Sequence, residues 1–284
     1  MDRGLTGFRG GARGGLGGAA LAGRRLAPPV GEDGDFGPEL IANGGFASGS
    51  DWTLGDDGNG VVPTISGGTL NGAGGFGNGT ASQAIVATEG LIYRVAYSVV
   101  SITTGNISIG LGTGGTAART AAGDYAEYVL AGGGATTMVV NFASSDAVVD
   151  NVSIKEVLEQ DDLGPELWPQ PAFDASAGLT LTNCSVAGGK LLFEAAGALM
   201  RARLTSPDPI VSGDFFRYAI TVDSTDDPIL MGFGSALVAG LGAGSHGGTV
   251  RSSALNQFLE VRNGGDATAV IDNVSIKKVI LPAL

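Results

Sequence analysis

Along most of this 284-residue chain, short runs of alternating apolar and polar residues are cut by clusters of Gly, Asn, Asp and Ser. A period of two places successive side chains on opposite faces, the mark of half-buried β-strands joined by tight turns. The pattern predicts strands at 61–66, 81–87, 91–101, 106–112, 125–130, 137–142 and 148–157. It predicts a second series at 179–186, 190–194, 198–205, 214–223, 228–233, 257–262 and 270–279. No convincing amphipathic helical spacing is present. The expected class is all-β.

One strand pattern occurs twice. Val149-Asp150-Asn151-Val152-Ser153-Ile154-Lys155 returns as Ile271-Asp272-Asn273-Val274-Ser275-Ile276-Lys277. Further landmarks recur in the same order. Gly37-Pro38-Glu39-Leu40 matches Gly164-Pro165-Glu166-Leu167, Phe46 matches Phe173, and Trp52-Thr53-Leu54 matches Leu179-Thr180-Leu181. Gly67-Gly68-Thr69-Leu70 matches Gly188-Gly189-Lys190-Leu191, Tyr93 to Val99 matches Phe216 to Val222, and Gly110-Leu111-Gly112 matches Gly232-Phe233-Gly234. Conserved order on this scale means internal duplication. The expected organisation is an extended arm at 1–36, a first antiparallel β-sandwich or jelly roll at 37–157, an acidic linker at 158–164 and a second jelly roll at 165–284.

Composition narrows the function. The 50 glycines punctuate β-branched runs, which suits a turn-rich β-fold. Ten of the first 31 residues are Gly, and there Arg3, Arg9, Arg13, Arg24 and Arg25 face only Asp2. That segment lacks the apolar surface to fold alone and reads as an arm that grips an acidic partner through its arginines. It carries about +4 of a net charge of -12, so the remainder stands near -16, which argues against nucleic acid as a partner of the body. A single cysteine, Cys184, allows no intrachain disulfide. No apolar run reaches the roughly 20 residues that a membrane-spanning helix needs, so no membrane insertion is expected. The broken apolar pattern of the N-terminus also leads to the expectation of assembly without export.

The order Glu39-Leu40-Ile41, Asn43-Gly44-Gly45-Phe46, Asp51-Trp52-Thr53 and Asp150 to Lys155 resembles the jelly-roll carbohydrate-binding modules of the galactose-binding-like superfamily. It resembles more closely the copies of that module in bacteriophage and gene transfer agent spikes and fibres. The resemblance spans both repeats and not the arm. It implies a non-enzymatic virion structural protein, assembled in the bacterial cytoplasm and probing cell-surface polysaccharide as a homo-oligomer. The arm would dock on a capsid or tail protein. The rival is an accessory carbohydrate-binding module of a bacterial polysaccharide-degrading system. Members of the superfamily often hold a structural calcium between an acid after the opening Phe and an acid of the last strand. Ala47 breaks this in the first repeat, while Asp174 and Asp272 keep it in the second. No other cofactor is implied.

Catalytic chemistry finds little support. His246 stands alone in a Gly-rich stretch expected to be a loop, and Cys184 has no partner base. The acid pairs Asp56-Asp57, Asp161-Asp162 and Asp226-Asp227 are adjacent residues that point apart in extended chain, unlike the paired carboxylates of a glycosidase. Sugar recognition needs aromatic faces beside polar groups. Candidates are Trp52, Phe76, Tyr125 and Tyr128 in the first repeat, and Trp168 and Phe258 in the second. Trp52 is also placed to pack beneath the opening loop, which leaves Tyr125 and Tyr128 as the preferred surface pair. The second repeat, without a match for Trp52, is expected to be chiefly structural.

Overall fold

The computed structural model describes residues 35–284 apart from 57, 59, 75–76, 170, 195–199, 206–209, 254–257 and 264–267, and Asp35–Leu284 forms one compact unit. The arginines expected to anchor the arm, Arg3, Arg9, Arg13, Arg24 and Arg25, lie outside the described residues.

Antiparallel strands make up the first repeat: β1 (Phe36–Glu39), β2 (Thr53–Asp56), β3 (Thr64–Ser66), β4 (Thr69–Ala73), β5 (Asn78–Ala84), β6 (Ile92–Leu111), β7 (Gly114–Gly115), β8 (Gly123–Leu130) and β9 (Thr137–Val157). The two long strands β6 and β9 organise it. They pair from Tyr93 opposite Glu156 to Leu111 opposite Met138, and register shifts between Ala96 and Asn106 bend them midway. Two pairs of shorter strands were expected in their place, because the polar Thr103-Thr104-Gly105 stretch reads as a turn. The bend uses Gly105 at φ 71°, where an added Cβ would lie 2.2 Å from the Ala143 carbonyl oxygen. Bending folds one nine-stranded sheet into both layers of a sandwich. Val95, Tyr97 and Val99 from one end of β6 and Ile107, Ile109 and Leu111 from the other close on a single core.

The second repeat comprises β10 (Leu163–Glu166), β11 (Thr180–Thr182), β12 (Cys184–Ala187), β13 (Lys190–Phe193), β14 (Arg201–Thr205), β15 (Phe215–Thr225), β16 (Ile229–Phe233), β17 (Ala236–Leu241), β18 (Gly244–Arg251), β19 (Phe258–Asn263) and β20 (Ala269–Val279). Here the long strands are split. Pro228, which has no N–H for a ladder, separates β15 from β16. The result is two sheets: β12-β13-β20-β15-β18 with β10 beside β20, and β11-β14-β19-β16-β17. They enclose a second core built on Trp168, Phe173, Phe193, Phe216 and Phe233. Strands β17 and β18 are absent from the sequence expectation; β17 pairs with β16 in one sheet and β18 with β15 in the other. Glycines interrupt the alternation there, and His246 stands on β18 opposite Ile220, not in a loop.

The duplicated landmarks occupy matching places. Glu39 faces Lys155 across β1 and β9, and Glu166 faces Lys277 across β10 and β20. The amide of Ile154 donates to Glu39 Oε1 at 2.8 Å, and that of Ile276 donates to Glu166 Oε1 at 2.6 Å. Phe46 and Phe173 both take left-handed backbone, at φ 50° and 49°. Arg94 lies opposite Lys155, and Arg217 opposite Lys277.

A third apolar cluster joins the repeats: Ile92, Val157, Phe215 and Val279, flanked by Phe36, Tyr128, Leu130, Leu163 and Leu281. The segment expected as a linker contributes to this joint, and its last residues, Leu163 and Gly164, belong to β10. Gln160 is buried. Its amide nitrogen donates to the carbonyls of Val157 at 2.7 Å and Ile92 at 3.3 Å, and its oxygen accepts from Ile92 N–H at 2.6 Å. Arg217 then donates to the Gln160 carbonyl at 3.3 Å.

Candidate functional site

The aromatic residues picked from the sequence fall mostly into structural roles. Trp52 is only 6% exposed; its indole packs 4.8 Å from the Phe46 ring and donates to the Asn43 carbonyl at 3.2 Å. A buried indole offers no stacking face to a sugar, so Trp52 is a core residue. Tyr128 spends its hydroxyl on the Pro282 carbonyl at 2.8 Å, which ties the first repeat to the C-terminus. Tyr125 is half-buried, lies under the Arg119 guanidinium at 4.6 Å and donates to the Ala121 carbonyl at 2.8 Å. It borders a shallow depression of about 290 Å³ that also includes Arg94, Ser98, Asp124 and Asn151. Trp168 is fully buried, and Phe76 lies outside the described residues. Phe258 differs from these. It stands half-exposed at the start of β19 with the Arg203 guanidinium 4.0 Å from its ring centroid.

Around Phe258 the outer face of the five-stranded sheet collects unusual chemistry. Strand alternation puts Met200, Ala202 and Leu204 into the core, and so sends Arg201 and Arg203 outward. On β19, Leu259 and Val261 point inward and Phe258, Glu260 and Arg262 outward. Register places Arg203 opposite Glu260, and Arg201 opposite Arg262. Arg203 donates to Glu260 Oε2 from Nη2 at 2.8 Å and from Nε at 3.2 Å. Arg262 Nη1 lies 3.5 Å from Glu260 Oε1. On β16 the residue facing Glu260 is Gly232, where an added Cβ would sit 2.8 Å from Glu260 Cγ. The missing side chain lets the carboxylate lie flat across the sheet. Leu230 and Leu237 edge the same face, Leu237 being 49% exposed.

The duplication supplies an internal control. Matching Gly110 to Gly232 and following the ladders outward, Val139 takes the place of Glu260 and Ser82 that of Arg203. One row on, Asn141 stands for Arg262 and Thr80 for Arg201. All four charges are therefore private to the second repeat, and the same fold forms in the first with neutral residues. The Glu39/Lys155/Arg94 row shows the opposite behaviour, since Glu166/Lys277/Arg217 repeats it. Shared charges serve the scaffold; private ones do not follow from it. Sequence reasoning passed over this site although Arg-x-Arg at 201–203 and Glu-x-Arg at 260–262 carry the signal, charges spaced by two within predicted strands.

Other candidate chemistry stays dispersed. His246 Nε2 hydrogen-bonds the Gly242 carbonyl oxygen at 2.7 Å. Cys184 is half-buried, burial raises the pKa of its thiol, and its Sγ–H donates to the Arg201 carbonyl at 3.1 Å. A protonated thiol is a poor nucleophile. Asp174 is exposed, while Asp272 is half-buried and near enough to Lys190 to favour its ammonium form, behind the larger effect of Asp223. Among the described residues no three His, Cys, Asp or Glu side chains converge. Calcium takes six to eight oxygens, so Asp174 and Asp272 do not by themselves make its site. In the first repeat Asp150 accepts from the amide of its neighbour Asn151 at 2.7 Å within β9.

No protein-family model matches the chain, and no curated protein matches it. Among solved structures, a family 29 carbohydrate binding module aligns at 12% identity over 40% of this chain and 86% of its own, with a TM-score of 0.29. A fucolectin from striped bass (Morone saxatilis) serum aligns at 9% identity over 76% and 87%, TM-score 0.25. An allantoicase aligns at 7% over 84% and 92%, TM-score 0.21. Likenesses this distant carry no argument about ligand or reaction.

Proposed function

We propose that this protein is a non-catalytic glycan-binding protein whose binding surface is the outer face of β14, β19 and β16 in the second repeat. The observation that carries the reading is the Phe258–Arg203–Glu260 array, present in one copy of a duplicated fold and replaced by neutral residues in the other. A ring stacked under a guanidinium makes a flat, partly apolar platform. The Arg203 guanidinium offers donors to sugar hydroxyls and is held in place by the largely buried Glu260 carboxylate, which lowers the conformational cost of binding. Glycan-array binding by the full chain, repeated with Phe258→Ala, tests this. Binding that drops in the variant at unchanged melting temperature supports it; an array silent for the wild-type chain refutes it.

The finer reading, a spike or fibre of a phage or gene transfer agent particle anchored through residues 1–36, draws on the Gly/Arg composition of that segment and on the sequence resemblance. Particles that keep normal occupancy after deletion of 1–36 would contradict it.

A further inference from the structure

Building on the glycan reading, we infer that the ligand is an acidic saccharide whose carboxylate is held between Arg201 and Arg262. These two are direct cross-strand partners, so two like charges face each other on a sheet. Such a pair is destabilising in itself. Glu260 relieves it only in part: its Oε2 is committed to Arg203, and Oε1 reaches Arg262 at 3.5 Å. The Arg201 side chain forms no hydrogen bond or ion pair among the described residues, and Arg262 Nε is enclosed without a hydrogen-bond partner. Among the described residues the face therefore holds three guanidinium groups against one carboxylate, in a body whose overall charge is strongly negative.

The first repeat removes the structural explanation. Thr80 and Asn141 fill the matching positions, and its sheet forms without charge there. Cations opposed at a site where the scaffold accepts neutral residues call for an anion from outside. A planar carboxylate suits guanidinium donors. A uronic-acid unit presents one carboxylate beside several hydroxyls. The ring of that unit finds the Phe258–Arg203 platform, whose guanidinium Glu260 holds in place.

Calorimetric titration of the full chain with oligogalacturonate, and with the same oligomer methyl-esterified, tests the inference. The acid is expected to bind at least about tenfold tighter than the ester, with the advantage lost in Arg201→Gln. Arg201→Glu gives a second readout of opposite sign. It creates a salt bridge to Arg262, so melting temperature is expected to rise by about 1–3 °C while acid binding falls. Equal affinity for acid and ester overturns the inference and leaves the glycan reading standing. Acid binding that survives Arg201→Gln also overturns it, because the carboxylate is then held elsewhere. No binding of either oligomer, with neutral glycans still retained on the array, rejects the acidic ligand; a fully silent array rejects the glycan reading itself.

Discussion

Glu39 and Ser153 lie 114 residues apart in sequence and meet across the first and last strands of one repeat, the serine hydroxyl donating to the carboxylate at 2.5 Å. Glu166 and Ser275 repeat the contact at 2.6 Å. Each carboxylate also accepts two backbone amides, those of Ile41 and Ile154 or of Trp168 and Ile276. The opening strand is thereby clamped to the closing one. Replacing Glu39 or Glu166 by Ala strips partners from two amides and a hydroxyl, and each substitution is expected to cost about 2 kcal/mol. Melting temperature should fall by about 4–8 °C, and the double variant should show near-additive loss, since the two clamps share no partner. Calorimetry of the three variants checks this.

Gly44 approaches the closing strand more closely than any side chain would allow. A Cβ there would lie 1.9 Å from the Val152 carbonyl oxygen, whereas one on Gly45 meets nothing within 4 Å. Gly44→Ala is expected to destabilise by about 3 kcal/mol through forced backbone displacement. Gly45→Ala should stay within about 0.5 kcal/mol of wild type. Equal effects in urea denaturation would contradict the tight docking of the opening loop.

The joint between repeats makes its own prediction. Gln160→Leu keeps the volume but leaves Ile92 N–H and two carbonyls buried without partners, an expected loss of about 2 kcal/mol. Tyr128→Phe removes one bond to Pro282, expected to cost about 1 kcal/mol. Saccharide affinity should not change in Tyr128→Phe. A loss of affinity there would restore Tyr128 as a ligand contact.

Burial raises the pKa of the Cys184 thiol, ahead of the opposing backbone hydrogen bonds. Alkylation by iodoacetamide is therefore expected to be slow at neutral pH, with a rate inflection above the ordinary cysteine value. A fast reaction near pH 7 would show a more exposed thiolate.

Much of the β-architecture was legible because alternation and turn glycines were both strong, and the paired Asp-Asn-Val-Ser-Ile-Lys strands located the closing edge of each repeat. Three kinds of feature were not. The continuity of β6 through Thr103-Thr104-Gly105 depends on register shifts that no local pattern reports. Across β17 and β18, Gly240, Gly242, Gly244, Gly247 and Gly248 interrupt any period. Trp52 packs in the core, as its place beneath the opening loop suggested, whereas Tyr128, preferred as a surface residue, belongs to the joint between repeats, which no local pattern reports. Arg-x-Arg at 201–203 and Glu-x-Arg at 260–262 were readable as charges on one face of predicted strands, but which of them meet, and that the first repeat lacks them, appears only from ladder register.

Amide chemical-shift mapping of the full chain, titrated with the tightest-binding saccharide from the array, tests the central claim most directly. The account predicts the largest shifts in β14, β19 and β16, centred on Arg203, Phe258, Glu260 and Gly232, with little change at the matching residues Ser82, Val139 and Gly110. Shifts centred instead on the first-repeat depression at Ser98, Asp124 and Tyr125 would contradict it.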